Sequence, residues 1–399
     1  MKNWKKISFL TAVVLVVLVT GILYIFNISI SIPSSDIEFS PGDVSNKINS
    51  EYPGKKPKNI IIFIADGMGF NHLSLALQTQ QSENLSPVWQ EFDVKGWHDA
   101  RSAYGSLTDS EASATAIATG TSTNFGYIGI DKDQKPIKNI FELASSQGYT
   151  TGIVTDSYVW DGTPAAFVAH IRNEDDARGI LKQIATSELD LLFGEFEDVG
   201  EDDVPEVGET LEILEKRFHF LERSLELPGG AKQTSPIAIL FEEDEIQDMN
   251  SSPNLLQLTE TALTYVSSQD KPFVLLVESE EMDAASHEND SKRVLRGLKS
   301  IQETLSAVLN FSKTNGETLV IFTADHETGG LAVVSDFDKY PKIQMKWSTK
   351  DHSSAVVPLF AKGPGAEYFT NVHRNRDVGY CLKKLISQSA SVDVSTLDN

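Results

Sequence analysis

Short, almost wholly apolar runs recur along this chain at wide intervals. They lie at Asn59–Ala65, Thr151–Thr155, Phe273–Val277, Thr318–Thr323 and Val356–Ala361. None alternates apolar with polar positions over its length, so each reads as a strand covered on both faces. Between several of them the apolar positions recur with helical spacing. The clearest case is Ser291–Thr314, which carries Val294, Leu298, Ile301, Leu305 and Val308 on one face and stops at Asn315-Gly316. Strands alternating with helices predict an α/β fold, a doubly wound and mostly parallel central sheet with helices on both faces.

Two regions depart from that rhythm. Lys2, Lys5 and Lys6 precede a stretch from Ile7 to Ser35 without a charged residue, and Phe9–Phe26 is mostly Leu, Val, Ile and Phe. This run exceeds the roughly 7–15 residues of a secretory h-region and reaches the roughly 20 needed to span a bilayer. No small-x-small cleavage site follows it. Residues 1–32 are therefore expected to be a membrane anchor, with a cleaved signal peptide as the alternative. Either way the lysines stay inside and the remainder is exported. Residues 33–58 read as a tether, 59–386 as one folded domain and 387–399 as a loose tail. The second departure is Glu195–Glu209, with eight acids and no base. It precedes a helix-like stretch, Thr210–Leu227, and suggests an acidic cap or insertion at about 195–250.

Charge narrows the possibilities. The 399 residues carry a net charge of −23. Such a field does not attract nucleic acid. It also repels anionic substrates unless metal cations reverse the sign locally. The single cysteine, Cys381, excludes an internal disulfide and a cysteine-based zinc site. Any metal must be held by histidines and carboxylates.

In open α/β sheets ligands sit beyond the carboxyl ends of the strands, and metal-ligand types stand there. Asp66 follows the first run. Asp161 and Thr163 follow the second, and Glu278, Asp283 and His287 the third. Asp325 and His326 follow the fourth, and His352 precedes the fifth. Carboxylates converging in this way repel one another unless cations lie between them. Two histidines and an aspartate suit zinc with one open position; carboxylate, hydroxyl and water suit magnesium. Thr108-Asp109-Ser110 opens a helix of small residues running to Gly120. Ser110 falls in the first turn, where free N–H groups and the helix dipole favour an anion.

The chain resembles the alkaline phosphatases. The motifs that carry the resemblance are Ile64-Ala65-Asp66-Gly67-Met68-Gly69, Thr108-Asp109-Ser110, Asp161-Gly162-Thr163-Pro164-Ala165-Ala166 through His170, Val277-Glu278 with Asp283 and His287, Thr323-Ala324-Asp325-His326, and His352. They span residues 59 to about 365 in the family's order.

The resemblance implies two zinc ions and one magnesium. Asp283, His287 and His352 correspond to the ligands of one zinc; Asp66, Asp325 and His326 to those of the second, which also meets Ser110. Asp66 would bridge to a magnesium held by Thr163 and Glu278, with Asp161 orienting its waters. Asp109 would hold groups around the site in place. The implied reaction is hydrolysis of phosphate monoesters through a phosphoserine on Ser110, by a homodimer. The alternatives are a phosphodiesterase or phospho-group transferase of the same superfamily, and a membrane-tethered binding protein with a dead site. One departure stands out. Where the family carries a phosphate-gripping Arg, four residues after the His matched by His170, this chain has Glu174. Arg172 is the nearest candidate substitute, and a weaker phosphate grip is expected.

Overall fold

The protein is described from a computed structural model covering residues 54–196, 207–221, 223, 225–227, 236–242, 245–246, 252–335, 337–339 and 341–387. The expected anchor, the acidic run from 197 to 206 and the tail after 387 lie outside the described residues. No helix among the described residues is long and apolar enough to cross a membrane.

The first half of the domain runs β1 (Asn59–Ala65), α1 (Phe70–Ser82), β2 (Val94–His98), α2 (Ser110–Thr119), α3 (Ile140–Ser146), β3 (Thr150–Tyr158), the short α4 (Gly162–Ala165), α5 (Ala177–Thr186), β4 (Leu191–Glu195), α6 (Val207–Arg217), β5 (His219–Phe220) and β6 (Ile237–Phe241). The second half runs α7 (Leu255–Ser268), β7 (Phe273–Ser279), α8 (Glu281–His287), α9 (Ser291–Asn315), β8 (Thr318–Thr323), the short strands β9 (Glu327–Thr328), β10 (Ala332–Val334), β11 (Gln344–Lys346) and β12 (His352–Ser353), then β13 (Val357–Lys362) and α10 (Asn375–Ser387).

Nine strands form the central sheet in the order β2-β13-β8-β1-β7-β3-β4-β6-β5. All pairings are parallel except those of β13, which runs against both β8 and β2. The apolar runs fall on β1, β3, β7, β8 and β13, and burial of these strands on both faces explains the missing alternation; only Val356, just before β13, is exposed. Ile60, Ile62 and Ile64 of β1 enter one core with α2 and α10, while Ile61, Phe63 and Ala65 enter the other with α9. The small residues of α2 permit a close approach to α10. A Cβ on Gly379 would come within 2.4 Å of the Ile117 carbonyl oxygen.

The region expected to hold an acidic cap or insertion supplies β5 and β6 to the far edge of the sheet. The helix there stops at Arg217, earlier than the sequence suggested, because buried Phe218 and the pairing of His219 and Phe220 with β6 turn the chain into the sheet. Glu195, the first acid of the run, is buried at the end of β4 and accepts the Ile246 N–H.

Strand register decides where the polar side chains emerge. Ile64 of β1 lies opposite Glu278 of β7 and Thr323 of β8, and Glu278 lies opposite Thr155 of β3. Asp66, Asp156, Glu278 and Asp325 are thereby delivered to one edge of the sheet.

Candidate active site

Three clusters assemble at that edge. In the first, α8 presents Asp283 and His287 one helical turn apart, and β12 brings His352. His287 Nε2 lies 3.2 Å from Asp283 Oδ2 and 3.1 Å from His352 Nε2; His352 Nε2 lies 3.9 Å from Asp283 Oδ1. Each ring is held from behind by a backbone carbonyl. His352 Nδ1 donates to Thr108 O at 2.9 Å, and His287 Nδ1 donates to Lys350 O. This leaves each Nε2 lone pair facing the cluster, as metal-binding histidines require.

The second cluster joins Asp66, Asp325 and His326, all buried. His326 Nε2 is 3.4 Å from Asp66 Oδ1 and 3.3 Å from Asp325 Oδ2. Ser110 Oγ is 3.0 Å from the same nitrogen. The ligand-bearing atoms of each cluster all lie within 4.8 Å of one another.

Thr328, which the sequence did not single out, links the two clusters. Its hydroxyl donates to Asp283 Oδ1 and accepts from His326 Nδ1 at 3.2 Å. Gly67 makes the linkage possible. It adopts a φ of 70°, and a Cβ there would sit 2.6 Å from Asp283 Oδ1.

The third group lies beside Asp66. Thr163 Oγ1 donates to Asp66 Oδ2 at 3.2 Å. Glu278 is wholly buried with neither carboxylate oxygen hydrogen-bonded. Asp161 accepts from Gly162 N at 2.8 Å and from Ser157 Oγ at 2.5 Å. Two further carboxylates stand here that the sequence reading missed, Asp156 and Glu280. Asp156 accepts from the Glu280 N–H at 2.6 Å and from Ser279 Oγ at 2.9 Å. Both were obscured because Asp156 lies inside an apolar strand and Glu280 reads as a helix-start acid.

The electrostatics reflect this crowding. Burial, reinforced by Asp325, Asp283 and Glu278, raises the Asp66 carboxyl well above its ordinary value. Burial and then Asp161 do the same to Glu278 and Glu280, and burial pushes Asp156 up to about 7. Asp283 is the exception. Burial opposes ionisation, but the contact with His287 and the nearby His326 hold it below the usual carboxylate range. Burial lowers His326. Asp66 Oδ1, Asp325 Oδ2 and both oxygens of Glu278 are buried without a hydrogen bond. Orphaned carboxylate oxygens of this kind are stable only when neutralised, so the donor sets fit divalent cations. Two contain imidazole and carboxylate, as zinc prefers; the third is all oxygen, as magnesium prefers.

Asp109 is the N-cap of α2. Its carboxylate accepts from Ala112 N at 2.8 Å and Gly126 N at 2.6 Å, tying the start of α2 to a neighbouring loop. Glu174 does not turn away from this end of the site. Its carboxylate clusters with those of Asp109 and Glu111. Burial and the Asp109 charge push Glu111 up to about 9. Arg172 sits in a non-helical turn, exposed, and makes no ion pair among the described residues.

The chain is similar to known proteins of one family. The alkaline phosphatase family model matches residues 57–192 and 222–342. The chain is 29% identical to alkaline phosphatase 4 of Bacillus subtilis, across 82% of this chain and 88% of that one. It is 30% identical to the repressible alkaline phosphatase of Saccharomyces cerevisiae, across 76% of this chain and 61% of that one. Among solved structures, the alkaline phosphatase of the Antarctic bacterium TAB5 superposes with a TM-score of 0.73 at 27% identity, covering 84% of this chain and 99% of that one. A point variant of that enzyme has Mg bound in its site M3.

The raised carboxyls predict an unusual pH response. Between about pH 7 and 9 the unfolded chain has few carboxyl or imidazole protons left to lose, since their ordinary values are about 6.5 or below. The metal-free native state still holds a proton on Glu111, whose carboxyl is pushed up to about 9. It releases that proton as pH rises, so its stability falls across this window. Thermal unfolding in chelator should show a melting temperature lower at pH 9 than at pH 7, with the slope abolished or reversed by zinc and magnesium. A flat or rising profile without metal would contradict the assignment.

Proposed function

The chain belongs to the alkaline phosphatase family and is a phosphatase acting on phosphate monoesters, and from that premise we propose that it works through a phosphoserine on Ser110. The observation that carries this reading is the placement of Ser110 Oγ 3.0 Å from His326 Nε2 of the second cluster and at the start of α2. The Asp109 side chain takes the Ala112 N–H and its carbonyl takes the Ser113 N–H. The N–H groups of Ser110 and Glu111 are left at the open end of the helix, where an anion is favoured.

Asp283, His287 and His352 would hold one zinc, and Asp66, Asp325 and His326 the other. Glu278, Thr163 and Asp66 would hold magnesium, with Asp161 beside it. Bound there, these ions would stabilise the transferring phosphoryl group as Lewis acids and lower the pKa of nearby hydroxyls. The Ser110 oxygen forms a bond to phosphorus as the bond to the leaving alkoxide breaks. Water then cleaves the phosphoserine, releasing phosphate and restoring the hydroxyl. Asp109 keeps Ser110 at the helix start, and Thr328 keeps the clusters in register. Residues 1–32 would anchor an exported enzyme, which would act as a homodimer. The mass of the mature N-terminus decides between anchor and signal peptide, since loss of the apolar run would exclude the anchor.

Ser110→Ala should abolish turnover while leaving folding and metal content intact. Chelation of the wild type should likewise inactivate it, with zinc plus magnesium restoring more activity than either alone. Undiminished hydrolysis by Ser110→Ala, assayed on a chromogenic monoester, would show that the nucleophile lies elsewhere.

The acids at the mouth bear on phosphate affinity. Arg172 is exposed, so Arg172→Ala should leave KM within about twofold. Glu174→Arg replaces repulsion with a charge-assisted hydrogen bond of roughly 1.5–3 kcal/mol. It should lower KM on the order of tenfold and tighten inhibition by inorganic phosphate. A strong rise in KM for Arg172→Ala would show that this side chain grips the phosphate after all.

A further inference from the structure

His72 lies in the first turn of α1 and is wholly buried. It is not a member of any of the three clusters, yet both its ring nitrogens are committed. The backbone N–H of Gly69 points at His72 Nδ1 at 3.2 Å. An N–H must donate, so Nδ1 is the acceptor and the ring is neutral with its proton on Nε2. His72 Nε2 lies 3.2 Å from Ser286 Oγ. The Ser286 hydroxyl spends its own proton on Met282 O, 2.7 Å away inside α8. It therefore accepts from Nε2, and the directions of all three bonds are determined.

These bonds connect two segments that carry ligands. Gly69 closes the loop that begins at Asp66, and Ser286 stands on α8 between Asp283 and His287. A third segment touches the same ring. Trp347, five residues before His352, has its ring centroid 6.0 Å from that of His72. Trp347 also closes on Gly329, just after Thr328, where a Cβ would lie 2.5 Å from the indole. One imidazole thus abuts the loop of Asp66, the helix of Asp283 and His287, and the approach to His352.

We propose that His72 is a positioning residue that sets the location of α8, and with it the Asp283–His287–His352 zinc site, relative to the Asp66 loop. Its polar link to α8 is the Ser286 hydroxyl. Removing that hydroxyl should free the helix to shift while Asp66, Asp325 and His326 stay in place. Supporting contacts of this kind are worth about 10–100-fold in metal affinity. The proposal rests on the two-zinc reading of the site.

The test is zinc binding by the full chain, measured by competition with a chelator of known affinity and by elemental analysis. The wild type is measured first. Failure to bind two zinc equivalents would defeat the two-zinc reading itself. Given two equivalents, S286A should weaken one of them by about 10–100-fold and leave the other unchanged, with the metal-free melting temperature preserved. H72N, which keeps an acceptor for Gly69 but cannot reach Ser286, should weaken the same equivalent. The double variant should lose no more than the worse single one, because both cut one bond. Cobalt-substituted S286A should show an altered visible spectrum for one site alone. Wild-type affinity at both sites in S286A would overturn the proposal. So would equal weakening of both sites together with a lower metal-free melting temperature, which would mark a general loss of stability.

Discussion

Repulsion among buried carboxylates is the constraint on which the rest of this structure depends. Asp66, Asp156, Asp161, Glu278, Glu280, Asp283 and Asp325 converge on one edge of the central sheet. Among the described residues no lysine or arginine forms an ion pair with any of them. Only histidines stand opposite, and only around Asp66, Asp283 and Asp325. A sheet edge built this way is unfavourable as an all-protein assembly, because desolvation and like charge act in the same direction. Metal ions, which the alkaline phosphatase family uses, would offset both by neutralising the carboxylates. Positive charge there would also let a strongly acidic molecule receive a phosphate dianion.

The scaffold meets this constraint by rigidity. The strands that carry the ligands are covered on both faces, and their register leaves no freedom to slide without moving apolar side chains out of two cores. Behind the ligands a layer of polar contacts fixes their orientation. Backbone carbonyls orient His287 and His352, Thr328 couples the two histidine-containing clusters, and Asp109 pins the start of α2, where Ser110 sits. His72 extends this layer to the placement of a whole helix. Each contact is a modest hydrogen bond. Their joint effect is to confine ligand atoms to positions that electrostatics alone would drive apart.

The mouth of the site shows a different balance. Glu174, Glu111 and Asp109 bring three carboxyl groups together beside the start of α2, and their crowding keeps Glu111 protonated to about pH 9. Position 174 is exposed. On the proposed mechanism, ground-state attraction for phosphate would rest on the metal ions and the helix N-terminus.

Much of this was legible in the chain itself. The apolar runs announced buried strands because full burial on both faces leaves no room for polar alternation, and their ends pointed to the ligand types. Asp66, Glu278, Asp283, His287, Asp325, His326 and His352 stood out as metal-ligand types only as a joint pattern at the strand ends. Their individual roles, and that of Ser110, came from the family resemblance, since a serine at a helix start is ordinarily just a cap. The strands of the far edge were not legible, because β5 is two residues long and its pairing with β6 is set by buried Phe218 and not by local pattern. Asp156 and Glu280 were hidden by strand and helix periodicity, and Thr328 and His72 by chemistry that looks ordinary until its partners are known. The sequence alone specified the buried strands and which residue types stand at their ends, since both are properties of local pattern and composition. Which of them meet, which second nitrogen of each imidazole is held, and which helix is tied to which loop depend on contacts between residues more than two hundred positions apart, and only tertiary structure brings those together.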